Sequence, residues 1–301
     1  MRKGQRFTPA RLERWQNNGR GVGTGSNYQP WHQVTRDDPG SQGRSHLVPW
    51  RFGRLHHLLS DQELVAFGFA SMLPELDDLR EQFPLAIEEH PGEIRAYRVG
   101  AACRSPGRLA IATDLGIKHP VARGGGERCP WVMSTDLLLT RAIGENTLGL
   151  LAVSVKLDEE LSGIRTRQLL RIEREYWTRQ GHPWLLLTPR LHDPYVATAI
   201  RFGLPWALQP TEIEISRELD CASVTSELRG RSMRHAVHVI CEALGTDAST
   251  AQIVIWKSVW RGDLPIDLAR PMRPEQPLQF LSREAFWQQN PIVSGRSAWT
   301  H

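Results

Sequence analysis

An α/β core with a mixed sheet, followed by a C-terminal α+β module of winged-helix type, is the fold class that the sequence predicts. Two apolar stretches, "WVMSTDLLLT" and "NTLGLLAVSV", follow one another like neighbouring buried strands. An amphipathic segment over 159–180 then leads into a third apolar run, "HPWLLLTP". After about residue 190 the pattern changes to short helices and an alternating stretch around a Gly-Asp turn. The expected division is therefore 1–190 and 191–301.

Taken in order, residues 1 to about 52 are rich in Arg, Gly and Trp, show little periodicity and read as an irregular arm. The glycines of "GRGVGTG" lack the strand before and the helix after that a dinucleotide-binding loop needs. From Ser60, the spacing of Leu64, Phe67 and Met72 predicts a helix of about three turns ending near Pro74. "LREQFPLAI" reads as extended, 88–108 as an irregular insertion, and "TDLGIKHPVARGGGERCP" as mostly loop. Its "GGGERCP" portion suits a mobile loop better than a phosphate cradle. The first strand then carries Asp136 in apolar company, and the second stays apolar until Ser154 and Lys156. The 159–180 helix has Leu169, Ile172 and Tyr176 on one face and Arg167, Arg171 and Arg174 on another. Further on, "ISRELDCASVTSELRGRSMRHAVHVICEAL" reads as two or three short helices and "AQIVIWKSVWRGDLPIDLARPM" as a hairpin. The Pro- and Gln-rich tail from Arg270 reads as irregular.

Composition narrows the class. A chain of 301 residues with 40% hydrophobic and 23% charged residues is an ordinary globular protein with room for a sizeable core. No run approaches a membrane span, and the N-terminus lacks the apolar stretch of a signal peptide. Cys103, Cys129, Cys221 and Cys241 never form CxxC, which argues against a zinc site or disulfide framework and for a reducing cytoplasm. A net charge of +4 and a pI near 9.1 fit nucleic-acid contact, weakly by themselves. Of the 37 basic residues only Lys3, Lys118, Lys156 and Lys257 are lysines, so a lysine beside carboxylates stands out.

Three groups invite comparison for chemistry: Glu63 in the first turn of its helix, Asp136 in the first strand and Lys156 at the end of the next. Hydrolysing a phosphodiester takes an activated water, charge stabilisation at phosphorus and help for the leaving alkoxide. Mg²⁺ on one or two carboxylates supplies these, and a nearby lysine orients water or offsets the developing charge. Each group also has a bland reading. Ser60 and Glu63 make a capping-box pattern, and Lys156 can snorkel at a strand end. A buried, unpaired Asp136 is harder to explain blandly, because its burial is costly. His56 and His57 are adjacent in an extended segment and so point to opposite faces. That favours DNA contact or plain exposure over a shared metal. The Arg167, Arg171 and Arg174 stripe fits a solvated face and a phosphate-binding face equally well. Asp114 lacks a following strand and a paired lysine and is set aside.

"GRLHHLLSDQELVAF", "REQFPL", "GIKHPVARG", "VMSTDLLL", "SVK" and "EREYWTRQGHPWLLLT", in this order, resemble the TnsA family, the endonuclease subunits of heteromeric cut-and-paste transposases. The resemblance runs from about Gly19 through Thr188, with an echo in "LPIDLARPM". It implies a core like that of type II restriction endonucleases and a winged-helix-like C-terminal domain. It also implies metal-binding acids at Glu63 and Asp136, a catalytic lysine at Lys156, and Mg²⁺ as cofactor with Mn²⁺ as substitute. The implied reaction is cleavage at the transposon's 5′ ends, with a TnsB-like transposase acting at the 3′ ends and a TnsC-like AAA+ regulator contacting the C-terminal domain. A prokaryotic, nucleoid-associated setting without a membrane follows. Two residues before the lysine this nuclease pattern usually has Glu, Asp or Gln, whereas here Ser154 stands there. Serine is a shorter, weaker ligand, which leaves the Val155 backbone carbonyl and water as the remaining hard oxygens. The competing classes are a catalytically impaired module bridging DNA, TnsB and TnsC, and a stand-alone restriction-type nuclease.

Overall fold

Leu137, Leu138 and Leu139 are consecutive and have no solvent exposure, so both faces of their strand are covered. That strand, β6 (Ser134–Gly144), is the centre of a four-stranded sheet in a computed structural model that describes residues 7–36, 38, 43–97, 104–145, 147–211 and 221–299. The other strands are β3 (Leu76–Pro84), β7 (Thr147–Val155) and β8 (Trp184–Leu187), in the order β3-β6-β7-β8. β6 is antiparallel to both neighbours, whereas β7 and β8 are parallel. A parallel pair needs a crossover, supplied here by helix α4 (Ile164–Thr178), which buries Leu170, Ile172, Tyr176 and Trp177. The expected mixed α/β core is present. Leu137 pairs with Val153, which brings the start of β6 beside the end of β7.

The helix that opens after Ser60 is α2 (Asp61–Ser71), with the Glu63 N–H donating to Ser60 Oγ at 3.1 Å. The arm over 1–52 is more ordered than its composition suggests. Helix α1 (Pro9–Asn17) starts at Thr8, whose side chain accepts from Arg11, with proline in the first turn. Its Leu12 and Trp15, three residues apart, bury against Trp31 and Ala122. Strands β1 (His46–Trp50) and β2 (Arg54–Leu58) form a hairpin. The stretch expected as loop over 113–130 also corrects: helix α3 (Arg108–Asp114) leads to a second hairpin, β4 (Val121–Gly124) with β5 (Glu127–Pro130). Within the 88–108 insertion, His90 bridges Ser105 and a 3₁₀ turn covers Glu93–Ala96. Residues 98–103, and Cys103 with them, lie outside the described residues.

The chain divides into two compact units. One comprises Met1–Leu64, Glu75–Thr188 and Trp299–His301, and the other Val65–Pro74 with Pro189–Ala298. The second contains the rest of α2 and helices α5 (Pro194–Ala207), α6 (Cys221–Leu228), α7 (Met233–Leu244), α8 (Ala248–Trp260) and α9 (Arg283–Gln288). The short helices expected over 215–244 are α6 and α7, while 212–220 lie outside the described residues. The expected hairpin over 251–272 is overturned, because its first half is helix α8. Burial explains the error: Val254, Ile255, Trp256, Val259 and Trp260 are all buried, so β-branched and aromatic residues fill a helix covered on most sides. The start signal was Asp247, whose side chain accepts from Thr250 at 2.9 Å. The wing expected from that hairpin is absent among the described residues. No helix among them is long and apolar enough to cross a membrane.

Contact between α5 and α8 depends on Gly203, where an added Cβ would lie 2.3 Å from Trp256 Cε3. Gly203→Ala is expected to destabilise the protein by about 1–3 kcal/mol, the range for overpacking a tight interior. A thermal midpoint equal to that of the native protein would contradict this packing.

Candidate active site

Asp136 follows Thr135 at the start of the buried part of β6, and its position beside β7 fixes its partners. Its Oδ2 accepts the Val155 N–H at 2.7 Å and lies 3.3 Å from Lys156 Nζ. The ammonium also donates to the Val155 carbonyl at 2.7 Å. Asp136 and Lys156 are therefore brought together, held by β-strand ends on the first unit. The lysine keeps 28% of its side chain exposed and lines a cavity of about 390 Å³ with Asp136. Because the Val155 carbonyl already accepts from the lysine, only its second lone pair remains for any other ligand.

Glu63 is buried one layer behind that cavity, whose wall includes Leu59 and Gln82. Its Oε2 accepts the Leu59 N–H at 2.8 Å and the Gln82 side-chain amide at 3.0 Å. Ser60 caps the helix, but the reciprocal half of the capping box goes to Leu59 instead of Ser60. Gln82 has a left-handed backbone, φ +51°, which is uncommon for a residue other than glycine. Its neighbours Glu81 and Phe83 pair with Leu137 and Thr135, so Gln82 stands level with Asp136 on the adjacent strand. Strain of this kind concentrates at functional sites.

Sequence reasoning missed a third carboxylate. Glu173 of α4 lines the same cavity, and its Oε1 accepts from Thr135 Oγ1 at 2.7 Å and from Ser154 Oγ at 2.5 Å. The signal lay in the helix itself. Leu170, Glu173 and Trp177 share the buried stripe at three- and four-residue spacing, so an acid sits where an apolar residue is expected. This also corrects Ser154 as a ligand: its hydroxyl is fully buried, donating to Glu173 and accepting from Trp184 Nε1 at 2.9 Å.

The crowding of acids sets the electrostatics. Burial, with Asp136 nearby, pushes the Glu63 carboxyl up to about 8. The same causes push Glu173 up to about 7. Burial by itself pulls the Lys156 ammonium down, but Asp136, Glu173 and Glu63 outweigh it and hold the group above its ordinary value. One part of the wall is aromatic, with Phe7, Trp15, His32 and Trp131, and Asp38 and Glu160 add two further carboxylates to the lining. Burial lowers His32 to about 4, which keeps its ring neutral at physiological pH.

The remaining sequence candidates lie elsewhere. His56 is buried with Nδ1 2.9 Å from Glu81, a carboxylate that also pairs with Arg54. DNA contact by His56 is therefore corrected to a structural role. His57 points to the other face, and its Nδ1 accepts the Val34 N–H at 2.9 Å. Arg167 and Arg171 are exposed on α4, whereas Arg174 is half-buried beside Glu175 at 3.4 Å. Asp114 pairs with Arg179 at 2.7 Å.

Known proteins give this arrangement a family. The model for the TnsA-like endonuclease N-terminal domain matches residues 75–189. Over 214 residues the chain is 36% identical to the Transposon Tn7 transposition protein TnsA of Escherichia coli, covering 71% of this chain and 67% of that one. The chain belongs to the TnsA family. Asp136, Lys156 and Glu173 all fall inside the segment matched by the TnsA-like domain, whereas Glu63 precedes it. The mixed sheet of this TnsA-family chain suits a restriction-endonuclease-like core. Among the described residues, no group of three or more His, Cys, Asp or Glu side chains is arranged to hold a metal ion as it stands.

A carboxyl whose folded pKa is raised binds more protons folded than unfolded between its two values, so stability falls as pH rises through that window. For Glu63 the window runs from 4.5 to about 8. In the absence of divalent cations, Glu63→Gln is expected to melt higher than the native protein at pH 8 but not at pH 4.5. Melting curves across that range check the sign, and an equal pH dependence in both proteins would contradict it.

Proposed function

We propose that this chain is a Mg²⁺-dependent DNA endonuclease of a transposition complex, hydrolysing phosphodiester bonds at the 5′ ends of the transposon. In this reading a TnsB-like transposase processes the 3′ ends, and a TnsC-like regulator contacts the second unit. The observation that carries the proposal is Asp136 and Lys156 from adjoining strand ends, lining one open cavity with Glu173.

The donor set fits Mg²⁺ by its chemistry. Carboxylate oxygens are hard ligands, and Mg²⁺ ordinarily takes one or two of them and keeps several waters. Burial, with the charge of Asp136 nearby, holds Glu63 and Glu173 prone to protonation, a cost that a bound cation relieves. Asp136, from the cavity wall, and Glu63, after turning from Leu59 and Gln82, would hold the ion. When bound, Mg²⁺ supplies Lewis-acid stabilisation of the phosphate and a more acidic water.

The chain's own residues divide the remaining work. Lys156, held charged by its acidic neighbours, stabilises negative charge developing on the phosphate oxygens instead of abstracting a proton. Glu173 supplies the acid that Ser154 does not. Thr135 and Ser154 donate to one of its oxygens, and the carboxylate, ionised beside the cation, would accept a proton from the attacking water. Ser154 thus orients the carboxylate that replaces it. The impaired assembly module is disfavoured for that reason, since the acid count is restored.

Cleavage of transposon-end DNA with Mg²⁺, with and without the partner transposase, tests the proposal. Asp136→Ala, Lys156→Ala and Glu173→Ala are each expected to lower 5′-end cleavage by on the order of a hundredfold or more, as for loss of a principal charge-stabilising group. A fully active Asp136→Ala protein would sink the proposal. Equal cleavage with no partner present would favour a stand-alone nuclease.

A further inference from the structure

The β4–β5 hairpin carries an arrangement that nothing in the fold requires. Gly125 and Gly126 make its turn with φ +61° and +82°, the left-handed pair that a tight two-residue hairpin uses. The register sets Ala122 opposite Cys129 and Arg123 opposite Arg128. Ala122 is buried, and Cys129 packs on the same cluster of Leu12, Trp15 and Trp31. Strand alternation therefore turns both arginines to the outer face. Both are exposed, and neither has an ion pair or side-chain hydrogen bond among the described residues. The hairpin's one acid, Glu127, is level with Gly124 and on the inner side. Like charges directly opposed across a ladder repel, a cost that an anion between them reverses.

The hairpin is packed against α1 and adjoins the cavity. A Cβ on Gly124 would come within 2.4 Å of Thr8, the cap of α1, so the hairpin is seated closely on that helix. The Trp131 N–H donates to the Pro120 carbonyl at 2.9 Å, closing the hairpin base, and Trp131 itself lines the cavity. Arg128 is three residues away from it, roughly 10 Å along an extended strand. That reach corresponds to a phosphate close to the scissile bond.

We propose that the outer face of this hairpin clamps the DNA backbone, with Arg123 and Arg128 each engaging a phosphate on the strand flanking the cleaved bond. The assignment rests on the nuclease reading above. Guanidiniums grip phosphate oxygens through paired N–H donors, which positions the duplex without reading its sequence.

The test is fluorescence anisotropy of the full chain on a labelled transposon-end duplex, without divalent cation, across a salt series. Arg123→Ala with Arg128→Ala is expected to weaken binding at least tenfold at low salt. It should also flatten the slope of log affinity against log salt by about 2, since each phosphate neutralised by a basic side chain adds about 0.9 to that slope. The double Lys variant should retain most of the slope, and the Ala pair should melt no lower than the native protein, since a repulsion is removed. An unchanged salt slope in the Ala pair overturns the clamp and leaves the nuclease reading to the cleavage assay. Loss of binding to a protein partner with DNA binding intact overturns it as well. If the native chain binds the duplex with no salt dependence, the clamp falls, whereas Asp136→Ala cleavage decides the nuclease reading separately.

Discussion

One carboxylate oxygen organises the first unit. Asp136 Oδ2 receives the Val155 backbone N–H and the Lys156 ammonium together, tying the start of β6 to the end of β7. A buried carboxylate is costly unless its hydrogen bonds are made. Those bonds exist only in the native register, so the strand pairing and the placement of Asp136 against Lys156 are one constraint. The same charge raises the proton affinity of Glu63 and Glu173 around it. Once Glu63 and Glu173 are both ionised, Lys156 faces three negative carboxylates, which is the electrostatic basis of the cation site proposed above.

Much of this core was legible from residues alone. Asp136 and Lys156 interrupt apolar strands, and such interruptions are informative because burying a charge needs a partner. Glu173 escaped notice because "RIEREYW" reads as a charged helical face. Only its place on the stripe between Leu170 and Trp177 distinguishes it from its neighbours. Gln82 gave no signal at all, since a left-handed backbone at a non-glycine residue leaves no trace in composition. Ser154 was seen as a departure, but its use as a donor to Glu173 depends on a contact between a strand and a helix 19 residues apart.

Elsewhere the errors share a cause. "IVIWKSVW" has the β-branched and aromatic content of a strand, yet a helix buried on most sides needs no polar face and shows no clear period. The arm misled in the opposite direction, because its glycines and arginines obscured a short helix marked only by Thr8, Pro9 and the Leu12–Trp15 spacing. In both places a helix cap was the better guide than periodicity. Asp247 and Thr8 each accept from a backbone N–H of the first turn, and each stands immediately before the first residue of its helix.

The family supplies the reaction class, and the cluster supplies a physical reason for it: buried acids held close, at a cost that proton uptake or a bound cation offsets. Binding of Mn²⁺ to the full chain, followed by electron paramagnetic resonance, tests this most directly. The account predicts bound Mn²⁺ in the native protein, displaced by excess Mg²⁺ and lost or weakened at least tenfold in Asp136→Asn. Undiminished Mn²⁺ binding in Asp136→Asn would contradict it.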